Sequence, residues 1–163
     1  MRYRLLSVIL FIIFATPVAH AQEAIFLIRH AEQMLDVEDP PLTEDGLQRA
    51  KIWATILRDA DLKVIYTSKK VRTKQTGEAI ARELNVPLET MSRRNVTGLV
   101  NRVRKHDADD VVLIVTHSKT IPQLLEGFAP FAEHPTIEKD EYDNLFVIVP
   151  EGEDDVTVLR LRY

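Results

Sequence analysis

The chain is 163 residues long, 45% hydrophobic and formally −4 at pH 7, with no cysteine and five glycines. That length and apolar content suit one domain with a real core and exclude a disordered or fibrous chain. Without cysteine there is no disulfide, thiolate metal site, iron–sulfur cluster or cysteine nucleophile, and the five glycines allow neither G-x-x-x-x-G-K-[ST] nor G-x-G-x-x-G.

The first residues read as a secretory leader. Arg2 and Arg4 precede an apolar run from Leu5 to Phe14, and Ala19-His20-Ala21 supplies a small-x-small cleavage pattern, so the expected division is a leader at 1–21 and one domain at 22–163. The run is about half the roughly 20 residues a membrane span needs. The expected destination is the periplasm or the exterior, with no stable membrane anchor after cleavage. The remaining chain carries 19 Lys and Arg against 25 acids, a charge of −6, which disfavours general nucleic-acid binding. The basic cluster from Lys69 to Lys74 alone does not reverse that.

Ala24 to Ile28 is an unbroken apolar run, as in a strand buried on both faces. Thr43 then has the character of an N-cap, with Glu44 and Asp45 in the first turn. Leu47, Ala50, Ala54 and Leu57 follow at helical spacing, flanked by Trp53 and Ile56. Val64 to Thr67 reads as a second strand, and residues 70–84 as a helix ending at Asn85. Val96, Leu99, Val100 and Val103 form the stripe of a third helix; Val111 to Val115 is the strongest strand; Pro122 opens a short helix through Leu125. Leu145 to Val149 and Val156 to Leu161 make a hairpin around the exposed turn at 150–155. This alternation predicts an α/β domain: a three-layer α/β/α sandwich with a mostly parallel central sheet and a C-terminal hairpin.

The chemically expressive residues fall at strand ends. Arg29-His30 follows the first strand, Thr67-Ser68 closes the second, Arg72 lies just inside the next helix, and Thr116-His117-Ser118 closes the strongest strand. Ligands of open parallel sheets bind beyond the carboxyl ends of the strands. Parallel strands would therefore bring Arg29, His30, Arg72 and His117 to one edge, as a site for an anion such as phosphate. His106 reads as a helix-end residue and Asp107, Asp109 and Asp110 as a solvated turn. The segment from Glu141 to Asn144 is a candidate rim of the pocket.

These motifs resemble, in order, those of the histidine phosphatase superfamily, also called the phosphoglycerate mutase-like family. Arg29-His30-Ala31 is similar to its R-H-G motif, with alanine for glycine, and residues 41–50 to its P-L-T-x-x-G-x-x-Q-A stretch. Ser68 to Thr76 resembles S-x-x-x-R-T-x-Q-T, and Thr116-His117-Ser118 the second-histidine position. The resemblance spans residues 24–149. It implies a phosphatase fold of that family and hydrolysis of a phosphoester through a phosphohistidine on His30. Arg29, Arg72 and His117 would hold the phosphoryl oxygens, with the helix start near Ser68 and the amide of Ser118 as further donors. It implies no metal or other cofactor, and a small phosphorylated substrate or a phosphoprotein as partner. Many relatives carry a glutamate acid on an insertion after the second arginine, and this chain is short there. Glu32, Glu89, Asp36 and Asp143 stand as alternatives for the proton donor, Glu32 being nearest the nucleophile and Glu89 nearest the family position. The loop from Gln33 to Pro40 and the segment from Glu89 to Asn95 would set the breadth of the pocket.

Other classes fit less well. His30-x-Glu32 echoes a zinc deaminase, which needs a P-C-x-x-C that this chain lacks. Thr116 to Thr120 lacks both glycines of a nucleophile elbow. A mutase would need lids that shield the phosphoenzyme from water. The main alternative is a non-catalytic phosphate- or phosphopeptide-binding relative of the same fold.

Overall fold

A computed structural model describes residues 24–107, 109–130, 132, 135–151 and 155–163. The segment read as a leader, 1–21, and the centre of the hairpin turn lie outside them. Six strands, β1 (Ile25–Arg29), β2 (Leu62–Ser68), β3 (Leu88–Met91), β4 (Val111–Thr116), β5 (Asn144–Pro150) and β6 (Val156–Arg162), form one sheet in the order β3-β2-β4-β1-β5-β6. The first four named in that order run parallel, and β5 is antiparallel to both of its neighbours. The expected α/β sandwich, mostly parallel with a C-terminal hairpin, is the fold observed.

Helices α1 (Glu44–Ile56) and α2 (Val71–Leu84) cover one face, α3 (Val96–Val103) and α4 (Ile121–Phe128) the other. Each central strand is apolar on both faces because both are covered. Ile28, Ile65, Leu113 and Val115 pack with Trp53, Leu57 and Ile80, whereas Leu27, Tyr66, Val112 and Ile114 pack with Val100, Leu124 and Phe128. Two helix ends follow their predicted chemistry. The Thr43 hydroxyl accepts from the Gly46 amide at 3.1 Å, and Asn85 closes α2 in the left-handed conformation at φ 55°.

Three local readings change. Strand β3 was not expected: it has four residues, at the sheet's edge, only half-buried and without a long apolar run. Leu47 and Ile56 are exposed, so the buried face of α1 is narrower than its hydrophobic pattern, carried by Ala50, Trp53, Ala54 and Leu57. The turn after α3 is not simply solvated. His106 bonds the Tyr66 hydroxyl at 2.8 Å and the Asp110 carboxylate at 3.0 Å, and Lys63 lies 3.6 Å from Asp110.

Gly46 fixes how closely α1 approaches the loop after β1. A Cβ there would sit 2.2 Å from the backbone oxygen of Glu32, an oxygen that also accepts from the Thr43 amide at 3.0 Å. Gly46→Ala is expected to lower stability by about 1–3 kcal/mol, because overpacking against backbone outweighs the roughly 1 kcal/mol helix preference for alanine. Urea denaturation measures this; a stabilised variant would show that the loop yields freely.

Candidate active site

The carboxyl ends of β1, β2 and β4 meet at one edge of the sheet, because β4 lies between β1 and β2 and all three run parallel. His30, Ser68 and His117 are thereby neighbours although 87 positions separate the two histidines. Their rings are 5.4 Å apart, edge to face, and the structure brings together all four residues expected to form an anion pocket.

His30 is almost fully buried. Its Nδ1 lies 2.8 Å from the Ala31 carbonyl. A carbonyl can only accept, so Nδ1 carries the proton and Nε2 keeps its lone pair. That lone pair accepts from Arg72 Nε at 3.1 Å. Arg72 also reaches His117 Nδ1 through Nη2 at 3.4 Å, and its Nη1 is 3.6 Å from Asp39. His117 Nε2 in turn donates to the Ser68 hydroxyl at 3.0 Å; that oxygen also accepts from the Lys70 amide at 3.2 Å and bonds Thr73 Oγ1 at 2.7 Å. Both histidines are thus held in one tautomer with an unprotonated nitrogen turned to a single guanidinium.

Burial, opposed in part by the Ala31 carbonyl, pushes the His30 pKa down to about 3, with Arg29, His117 and Arg72 adding repulsion. Burial also lowers His117, to about 4, with help from Arg72, Arg93, Arg29 and Lys70. Both are therefore neutral near pH 7. A histidine whose folded pKa is depressed costs stability once the unfolded chain begins to take up protons that the native site refuses. Stability should be flat above pH 6.5 and fall below it, by up to about 1.4 kcal/mol per pH unit for each histidine, until pH approaches 4 for His117 and 3 for His30. Denaturant midpoints at pH 7 and pH 5 check this, and His30→Gln with His117→Asn should flatten the decline.

Arg29 is also buried, but its Nη1 is occupied. It donates to the carbonyls of Glu138, Lys139 and Glu141, each at 3.0 Å. Its guanidinium carbon lies 4.1 Å from the centre of the Tyr142 ring, which stands 6.1 Å from the His30 ring. So the Glu141–Asn144 segment does rim the site, clamped there by Arg29. The Nε of Arg29 remains a buried donor with no partner among the described residues.

Three of the four carboxylates suggested as proton donors are paired with arginines. Glu32 pairs with Arg49 at 2.6 Å through Oε1, its Oε2 is buried without a partner among the described residues and its charge is felt at Arg29; Glu89 pairs with Arg102 at 3.2 Å. Asp143 pairs with Arg162 at 3.0 Å, and Asp36 is exposed on the 33–40 loop. Period-2 and helical patterns say nothing of which way a single carboxylate turns, and Glu32, Glu89 and Asp143 turn to arginines. Ser118 follows His117, but its side chain makes no hydrogen bond among the described residues, and Thr120 rather than Ser118 stands at the start of α4. Sequence reasoning did not single out Thr76 or Gln75. Thr76 Oγ1 accepts from the Ala31 amide at 3.1 Å and donates to the Arg72 carbonyl at 2.8 Å, while Gln75 accepts from the Leu42 amide at 2.7 Å. The signal that could have found them is that they are the last two letters of the S-x-x-x-R-T-x-Q-T pattern, which carried no role for either.

The family model of the histidine phosphatase superfamily, branch 1, matches residues 25–95. No curated protein matches the chain. Among solved structures, YhfR of Bacillus stearothermophilus superimposes with a TM-score of 0.67 at 19% identity, over 83% of this chain and 95% of its own. A mycobacterial glucosyl-3-phosphoglycerate phosphatase does so at 0.67 and 12% identity, over 86% and 98%. SixA of Agrobacterium tumefaciens, a candidate phosphohistidine phosphatase, does so at 0.59 and 20% identity, over 83% and 97%. At these identities the structural likeness is one of fold. The family match runs from β1 to the start of α3, 71 of the 163 residues, so the chain is similar to the histidine phosphatase superfamily in the segment that carries His30 and Arg72 and shares its fold over most of its length.

Proposed function

We propose that the protein is a phosphatase that works through a phosphohistidine on His30 and needs no metal. The observation that carries this is the His30 ring itself: Nδ1–H is tied to the Ala31 carbonyl at 2.8 Å, and the Nε2 lone pair faces Arg72. A phosphoryl group at that point meets a neutral nucleophile and cationic donors, and Arg29 Nε is a buried donor without a partner among the described residues.

In the first step His30 Nε2 attacks phosphorus and the bond from phosphorus to the leaving group breaks, its electron pair departing with that group. The imidazole now carries phosphorus on Nε2 and a proton on Nδ1, and the Ala31 carbonyl stabilises this positive ring. In the second step water attacks phosphorus, the P–N bond breaks, and Nε2 recovers its lone pair as orthophosphate leaves. Arg72 and Arg29 oppose the negative charge that builds on the oxygens in both steps. Among the described residues no carboxylate hydrogen-bonds His30, so the first step favours leaving groups that depart without an enzymic proton: phosphoramidates such as phosphohistidine, anhydrides and aryl phosphates, ahead of alkyl phosphoesters. The fold shared with a candidate phosphohistidine phosphatase is consistent with that preference. The leader read at 1–21 would place the activity outside the cytoplasm, which fractionation of the tagged protein tests.

The test is hydrolysis of p-nitrophenyl phosphate and of phosphoramidate between pH 4 and 8 with EDTA present, together with quenching of labelled enzyme in alkaline detergent. Turnover in EDTA, faster on phosphoramidate, with an acid-labile, base-stable phosphoenzyme is the expected result. Orthovanadate binding without turnover of either compound would overturn it in favour of a phosphate-binding protein.

A further inference from the structure

Next to the phosphoryl pocket, the start of α2 and the β3–α3 loop enclose an open cleft of about 440 Å³, lined by Asp39, Lys69, Lys70, Ser92, Arg93 and Arg94. That volume suits a small ligand, and the lining is cationic in a chain with more acids than bases. The one carboxylate in it, Asp39, is shared between Lys70 at 3.6 Å and Arg72 at 3.6 Å. Lys69, Arg93 and Arg94 form no ion pair among the described residues, while Arg49, Arg102, Arg160 and Arg162 are all paired. Unpaired surface cations are ordinary; three converging on one cleft beside a fourth that reaches the nucleophile are not. Asp39 links the cleft to Arg72, and Arg72 to His30, through successive contacts. The positive charge of Arg93 is felt at both Arg72 and His117, so the cleft and the pocket share one field.

We infer that this cleft is a subsite for a second anionic group of the substrate, so that the protein takes compounds bearing a second phosphate or carboxylate close to the phosphoryl group transferred. The inference rests on the His30–Arg72 cluster being the phosphoryl pocket. It adds a substrate class that the four pocket residues do not specify: p-nitrophenyl phosphate fills only the pocket, whereas a compact polyanion spans pocket and cleft. Such binding weakens with salt, because the cleft is open and its charges are screened beyond about 8 Å at physiological ionic strength.

Calorimetry with orthophosphate and tripolyphosphate, in EDTA at low salt, tests it on three proteins, each carrying His30→Ala so that the anhydride is not turned over: the otherwise unmodified chain, Lys69→Ala with Arg94→Ala, and a control with Lys51→Ala and Arg82→Ala on α1 and α2. The other side chains replaced are exposed, so folding is not at stake between the three. The expected result is at least tenfold tighter binding of tripolyphosphate than of orthophosphate, falling below about threefold in the cleft variant and persisting in the control. Equal affinities in the otherwise unmodified chain, a preference that the cleft variant keeps, or an equal loss in the control would overturn the subsite. Because binding needs no turnover, a preference found while the chain with His30 intact lacks p-nitrophenyl phosphatase activity would sustain the subsite and sink the enzymic reading. Activity without a preference would do the reverse.

Discussion

His30→Ala should lower the kcat for phosphoramidate by about four orders of magnitude or more and leave no phosphoenzyme to trap. The reason is geometric as well as chemical. Nε2 of His30 is the one unprotonated nitrogen in the pocket whose ring is anchored at its far side by a backbone carbonyl, at 2.8 Å, so no neighbour can take over the attack. His117 is 5.4 Å away between ring centres and its Nε2 is committed to Ser68. Removing a covalent nucleophile leaves only the residual rate that bound charge provides, so the loss approaches that of dismantling the whole machinery. Orthovanadate should still bind His30→Ala, because Arg29, Arg72 and His117 remain. Retention of a tenth of the activity would instead point to direct attack by water, with His30 as a phosphate ligand. The burial of His30 protects the result from a trivial explanation only if the variant folds, which a near-native circular dichroism spectrum and vanadate binding together establish.

Arg72 carries the second large effect. One guanidinium touches His30 Nε2 at 3.1 Å, His117 Nδ1 at 3.4 Å and Asp39 at 3.6 Å. Arg72→Ala should cost about 10²–10³-fold in kcat/KM, the range for losing a preorganised donor to a developing oxyanion. Arg72→Lys should recover little, because a point-charge ammonium cannot direct separate donors to two rings and a carboxylate. A second readout separates electrostatics from packing. Arg72 contributes to holding the His117 pKa down, after burial, so in Arg72→Ala the His117 titration followed by NMR should move up. An unmoved titration, with activity lost, would mean that Arg72 acts by shaping the pocket and not through its charge.

Much of the architecture was legible because strands buried on both faces demand long apolar runs. β1 and β4 announced themselves in this way, and their polar neighbours at the carboxyl ends followed in register. Strand β3 was not legible, since a four-residue edge strand needs neither apolar continuity nor alternation. The burial of α1 was overestimated, since hydrophobic spacing marks a face but not how far its neighbours extend over it; Leu47 and Ile56 stand outside that cover. In the site, residue types and strand-end positions sufficed to group His30, His117, Arg29 and Arg72. The role of Arg29 did not follow, because three loop carbonyls 109–112 positions away claim its Nη1.

The amino-acid sequence by itself determined the alternation of buried strands and amphipathic helices, the capping of α1 by Thr43, the left-handed stop at Asn85, and which chemical groups sit at the strand ends. These are local matters: side-chain period, one hydroxyl, one backbone conformation. Only the tertiary structure decided that β4 inserts between β1 and β2, so that a single arginine spans both histidines. It alone decided that Glu32 and Glu89 turn to Arg49 and Arg102 and not to the nucleophile, and that Arg93 and Arg94 come beside Lys69 and Lys70. Those outcomes depend on contacts between segments far apart in the chain, and the direction of a side chain at such a contact is set by what packs around it, which no local pattern of residues encodes.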